Sequence, residues 1–284
     1  MKDLRHRLAD GRVLAYTDIG ERGWLPVFFF HGAPMSRLHL VHLEPQFLGG
    51  KLRVVSPDRP AYGGSSPRPG RSMADWASDV AALADALGVE RFLVAGHSSG
   101  GPYAVACAAL LPDRVLGGMV LGGVTDMAWP GAWEGYVESE RQLMRLPDEE
   151  AVVAWCVERF GVDGSGFNEA SDFEFPEPDN ALFADEQAGP ALTSTVTEAF
   201  RQGVAGYAQD VFVQGRPWPF APDRIVAPVH VVHGELDTLM PVAHSRHTSE
   251  LVPGALLRVL PGHGHMTTVT ELPAMASALA RSLA

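Results

Sequence analysis

The chain has 284 residues, 46% of them hydrophobic and 20% charged, which is the balance of a globular protein and not of a disordered or fibrous one. Its formal net charge of −12 argues against a nucleic-acid partner, because binding phosphate calls for the opposite sign. There is no run of 18 or more uncharged apolar residues, so neither a transmembrane helix nor a membrane partner is expected.

The length suits one large α/β domain, or one core carrying an insertion. The N-terminal MKDLRHRLADGR carries charge but no apolar stretch, so a secretory signal is not expected. Two cysteines, Cys107 and Cys156, lie outside any CxxC and fit reduced thiols in a cytoplasmic protein. Charge is distributed unevenly. Residues 126–222 hold 18 acids against 5 bases, a balance of −13, while the remainder of the chain is close to neutral at +1. That asymmetry marks the middle of the chain as a separate unit.

Taken in chain order, residues 12–20, 26–32 and 52–58 read as strands, each ending near a turn residue. SMADWASDVAALADALG (72–88) reads as an amphipathic helix with Trp76, Val80, Leu83, Ala84 and Leu87 on one face. Ser72 with Asp75 resembles a capping box at its start. A strand over 91–96, a helix from Ser99 to Leu111 and a strand over 116–123 follow. Between 126 and 222 the alternation stops. Pieces at 134–145 and 148–160 look helical, and 163–180 reads as an extended loop. This stretch also holds 12 of the chain's 19 Trp and Phe residues, enough for a small core of its own or for the lining of an apolar pocket. Strands then return at 228–234 and 255–262, with helical patterns at 241–252 and 271–283. Such alternation predicts a mostly parallel sheet with helices on both faces, and ligands bound beyond the carboxyl ends of its strands.

RFLVAGHSSGG contains Gly96-His97-Ser98-Ser99-Gly100, a G-x-S-x-G pattern between a predicted strand and a predicted helix. A serine at so tight a turn needs tiny neighbours two residues away on either side. That frame puts Ser98 at the apex; a frame centred on Ser99 would put His97 where a glycine is needed. Ser99 then contributes its backbone N–H to an oxyanion hole. Ala33, in HGAP after the strand at 26–30, is placed to supply the second N–H. His31 reads as a loop-shaping ring and His97 as lining.

A serine hydroxyl needs a base, and the base needs an orienting acid. The loops after the last two strands, HGELDTLMP and PGHGHMTT, offer Asp237 and His265. Glu235 and Asp126 compete for the acid, His263 for the base, and spacing barely separates the two histidines. Two histidines in GHGH without a third ligand are weak grounds for a metal site, so no metal and no cofactor is expected.

FFFHGAPMSR, SPDRPAYGGSS, VAGHSSGG, VHGELDTLMP and GHGHMTT together resemble the motifs of the α/β-hydrolase superfamily, in the family's order. The resemblance covers about 1–125 and 223–284. It implies an α/β-hydrolase fold for those segments and a mainly helical cap, or lid, inserted at 126–222. It favours Asp237 over Glu235 as the acid, and His265, which follows a glycine, as the base. The implied activity is hydrolysis of a small, apolar carboxylic ester through an acyl-enzyme. The acidic, aromatic insertion disfavours polyanionic substrates and has room for a cationic amine end. Dehalogenases and epoxide hydrolases of this fold put Asp at the elbow, so Ser98 speaks against both. Cofactor-free haloperoxidase-like esterases and carbon–carbon bond hydrolases use the same triad; prolyl aminopeptidases resemble this chain in HG-x-P but usually carry a bulky aromatic where it has Ser99. A small-molecule receptor on the same fold is the alternative outside catalysis. Oligomeric state is not legible.

Overall fold

The computed structural model describes residues 4–283; residues 1–3 and 284, at the outer ends of the two predicted core segments, lie outside the described residues. The strands are β1 (Leu4–Arg7), β2 (Val13–Ile19), β3 (Leu25–Phe30), β4 (Leu52–Pro57), β5 (Phe92–His97), β6 (Val115–Leu121), β7 (Val229–Gly234) and β8 (Leu256–Leu260). They form one sheet in the order β1-β2-β4-β3-β5-β6-β7-β8. The pairs β1–β2 and β2–β4 are antiparallel and every other neighbouring pair is parallel.

The helices are α1 (Glu44–Gly49), α2 (Asp75–Ala86), α3 (Gly101–Leu110), α4 (Glu138–Met144), α5 (Glu149–Phe160) and α6 (Phe167–Ala170). They continue with α7 (Glu177–Ala184), α8 (Ala188–Ala199), α9 (Ala205–Gln214), α10 (Val242–Leu251) and α11 (Leu272–Ser282).

Successive side chains of a strand point to opposite faces, and β3 shows what that does in a buried sheet. Phe28 and Phe30 pack with Trp76, Val80 and Leu83 of α2 and with α3. Val27 and Phe29 pack on the other face with Phe47 of α1 and with Leu272, Ala276 and Leu279 of α11. Strands covered on both faces read as continuous apolar runs, and all six residues of β5 are buried. At the far edge β8 has only Leu260 buried.

Between β6 and β7 the chain contributes α4 to α9 and no strand among the described residues. These helices share a cluster built from Phe160, Phe167, Phe200, Tyr207, Leu143 and Cys156. Several of them depart from expectation. The predicted helix over 134–145 begins only at Glu138, because Gly135 sits at φ +70° and a separate 3₁₀ turn occupies Pro130–Trp133. The predicted loop over 163–180 contains α6 and the start of α7. The sequence AGPALTSTVTEA forms α8 although Gly, Pro, three Thr and Val are poor helix formers; burial of Leu192, Thr195 and Ala199 overrides propensity there. The capping box at Ser72 is incomplete. Asp75 accepts from both the N–H and the hydroxyl of Ser72, so the hydroxyl is not the group that caps α2. No helix among the described residues is long and apolar enough to cross a membrane.

Candidate active site

Four loops at the carboxyl ends of β3, β5, β7 and β8 converge on one cavity of about 450 Å³. Its floor includes Gly32, Ala33, Ser98, Ser99 and His265. Its walls come largely from the inserted segment, through Glu140, Phe167, Phe183 and Val196 on its helices and Tyr136 and Phe173 on the connections between them.

The turn after β5 is as tight as its glycines imply. Ser98 has φ +54°, a left-handed conformation that a residue with a side chain adopts at a cost of about 1–3 kcal/mol. A Cβ on Gly96 would lie 2.1 Å from the carbonyl oxygen of Gly100, and one on Gly100 would lie 2.0 Å from that of Phe30. No other residue type fits at either position. Ser98–Gly100 forms a 3₁₀ turn that runs into α3, with Pro102 in the helix's first turn, so unpaired N–H groups and the positive end of the helix dipole sit directly behind the serine.

Asp237 and His265 meet in a 2.7 Å hydrogen bond from Nδ1 to Oδ2, both side chains nearly excluded from solvent. The other Asp237 oxygen accepts the backbone N–H groups of Leu239 (2.9 Å) and Met240 (2.8 Å). Burial pushes the Asp237 carboxyl up, but the charge and hydrogen bond of His265 outweigh it and hold the carboxyl below its usual range. Burial likewise pushes His265 down, while the charge and hydrogen bond of Asp237, with Asp179 behind them, leave it raised above its usual 6.5. Gly122, at φ +53°, lets the pair pass: a Cβ there would lie 3.2 Å from His265 Nδ1 and 3.3 Å from Asp237 Oδ2.

The competing residues are elsewhere. Glu235 is exposed and accepts from the Gly262 N–H. Asp126 accepts from the N–H groups of Ala128 and Trp218. His263 lies 3.7 Å from Glu271. His31 donates from Nδ1 to the Gly32 carbonyl and accepts the Arg59 N–H at Nε2, and burial lowers its pKa well below 6.5, so it is a neutral ring shaping its loop. Burial brings His97 down to about 3. Its Nε2–H donates to the His265 carbonyl at 3.0 Å, and its ring lies 4.7 Å from that of His265. Among the described residues no cluster of three or more His, Cys, Asp or Glu is arranged to hold a metal ion.

Sequence reasoning missed three acids of the inserted helices. Asp179 of α7, fully buried, accepts the N–H groups of Met266 (3.0 Å) and Thr267 (2.8 Å) and the Thr267 hydroxyl (2.9 Å), all just after His265. Asp210 of α9 pairs with Arg59 and Arg71, and Tyr103 also donates to it at 2.7 Å. Arg59 in turn donates to the carbonyls of His31 and Gly32, so a helix of the insertion braces the Ala33 loop through one guanidinium. Glu140 of α4 reaches the cavity itself. Only a general excess of acid in this stretch could have pointed to them.

The sequence model of the family described as "alpha/beta hydrolase fold" matches residues 26–272. The chain is 29% identical over 278 residues to a non-heme chloroperoxidase from Streptomyces lividans, covering 93% of this chain and 94% of the relative. It is also 29% identical over 271 residues to a bifunctional esterase/perhydrolase from Acinetobacter calcoaceticus, covering 92% of each. Among solved structures, epoxide hydrolase A from Mycobacterium thermoresistibile matches with a TM-score of 0.74 at 20% identity, over 99% of this chain and 98% of that one; a likeness at that identity speaks to the fold alone.

Proposed function

The chain belongs to the α/β-hydrolase fold family, and we propose that within it this hydrolase cleaves a small, apolar carboxylic ester by way of an acyl-enzyme. The observation that carries the reading is the buried 2.7 Å Asp237–His265 pair opening into the same cavity as a serine held at φ +54°.

In this reading Ser98 Oγ attacks the ester carbonyl carbon while His265 Nε2 takes its proton. Asp237 fixes the Nδ1–H tautomer and stabilises the imidazolium that forms. The carbonyl oxygen, now an oxyanion, accepts from the backbone N–H groups of Ala33 and Ser99, each such donor being worth on the order of 10²–10³ in rate. The tetrahedral intermediate collapses, and the alkoxide leaves with the proton from His265. Water then repeats the sequence on the acyl-serine, and the acid departs. A single His265 raised above 6.5 is the base in both halves, so kcat/KM rises with pH through that pKa.

Residues 126–222 act as the cap and select the substrate. Phe167, Phe173, Phe175 and Phe183 on the cavity wall favour an apolar acyl or alcohol group. Turnover of short p-nitrophenyl esters tests the assignment: wild type is expected to cleave them, and Ser98→Ala to lose on the order of 10⁶ in kcat. An S98A protein of near wild-type activity refutes it. Tight small-molecule binding by a wild type that cleaves nothing makes the protein a receptor instead.

A further inference from the structure

The cavity contains one acid that the hydrolytic chemistry does not use. Glu140 lies in the first turn of α4, and Tyr136, which also lines the cavity, sits just before that helix. The Tyr207 hydroxyl of α9 donates to its Oε1. Among the described residues lining the cavity there is no arginine and no lysine.

A carboxylate in a mostly apolar cavity loses its hydration and regains it only through a cation or several donors. Tyr207 supplies one donor. A glutamine at 140 would accept that same hydrogen bond without bringing a charge into the cavity. The rings of Tyr136, Phe167 and Phe173 share the lining with Glu140. A carboxylate beside aromatic faces suits an alkylammonium, which draws on charge-assisted hydrogen bonding and cation–π attraction together. The surrounding segment, at −13, adds a field of the same sign.

We propose that Glu140 is the specificity residue for a substrate bearing a protonated amine, so that the ester cleaved at Ser98, apolar along the rest of its length, carries an alkylammonium at the end remote from the scissile bond. The identity of that ester rests on the serine-hydrolase reading above; the ammonium site itself does not. The bond broken remains the ester bond, and the ammonium neither gains nor loses a proton during the reaction.

Burial pushes the Glu140 carboxyl up to about 7, with the Tyr207 hydrogen bond opposing this and the negative charge of Asp172 adding to it. The groups facing it are Tyr136 in the segment before its helix, Cys156 of α5, Asp172 after α6 and Tyr207 of α9. Burial raises the two tyrosines well above 10 and the thiol to about 12, so all three stay neutral between pH 5.5 and 8. As pH falls through about 7, Glu140 takes up a proton and its pull on a cation is lost. His265 gains positive charge over part of the same range, which also weakens cation binding.

The test is calorimetric binding of 3-phenylpropylamine against 3-phenylpropan-1-ol to the full-length protein. At pH 8 the amine is expected to bind roughly ten- to a hundredfold more tightly than the alcohol, the range of a hydrogen bond to a charged group. That ratio shrinks towards one at pH 5.5. Glu140→Gln brings it to about one at pH 8, and whatever pH dependence remains in the variant belongs to His265. Equal affinities in the wild type at pH 8, or no detectable binding of the amine, overturn the proposal without recourse to any variant. Turnover of a p-nitrophenyl ester by the same preparation keeps the two readings apart. Cleavage without amine preference sinks only the ammonium site, and amine preference without cleavage sinks only the hydrolase.

Discussion

The carboxyl edge of the sheet and the inserted helices reach the same cavity by opposite means. The sheet delivers each of its groups on a short loop directly after a strand, and the close fit is local: the glycines at 96 and 100 meet backbone within a few residues or on the adjacent strand. The insertion delivers Glu140, Asp179 and Asp210 from three different helices, and their partners lie far away in the chain, Asp210 on Arg59 and Asp179 on Thr267. One region places atoms through turn geometry. The other places them through buried carboxylates, each of which has to find its partner across the fold.

The division implies that the two kinds of residue fail differently when changed. Asp237→Asn should give the largest loss, about 10⁴ in kcat, because the amide favours the wrong tautomer of His265. Its unfolding midpoint should stay close to wild type, since the backbone bonds from Leu239 and Met240 can still go to the amide oxygen. Paired kinetics and thermal melts check this; a comparable loss of stability would blur the distinction.

Asp210→Ala should show the opposite pattern. It strands the fully buried Arg59 and leaves Arg71 short of its anion, which is expected to cost about 3–5 kcal/mol of unfolding free energy in a urea titration. A change under about 1 kcal/mol would mean that the Arg59 clamp is not what joins α9 to the sheet.

Asp179→Ala tests whether the insertion also acts on the base. Removing this carboxylate frees the N–H groups after His265 and takes away a negative charge that raises its pKa. Expected are a fall in kcat/KM of roughly ten- to a hundredfold and an acid limb displaced to lower pH. Slower turnover with an unmoved limb would reduce Asp179 to a packing residue.

The same contrast explains what the sequence allowed one to read. Alternating strand and helix patterns located β2 to β8 within a few residues, because strands buried on both faces are continuous apolar runs such as Val27 to Phe30. Strand β1, LRHR, carries no such signal and is held by its ladder to β2. The place of Ser98 at the apex of its turn was legible from its glycines. The choice of Asp237 and His265 over Glu235 and His263 was not legible from spacing, since two residues along a loop decide whether a side chain turns inward or to solvent. Helices α7 to α9 were illegible for a different reason. Local propensity is weak there, and burial of residues such as Asp179, Thr195 and Asp210 against distant partners determines the outcome.

The central claim is that Ser98 is an activated nucleophile, and intact-protein mass spectrometry with a fluorophosphonate probe tests it most directly. The account predicts a single adduct that maps to Ser98, forms more slowly in Asp237→Asn and disappears in Ser98→Ala. Protein that turns over esters while Ser98 stays unmodified would contradict it.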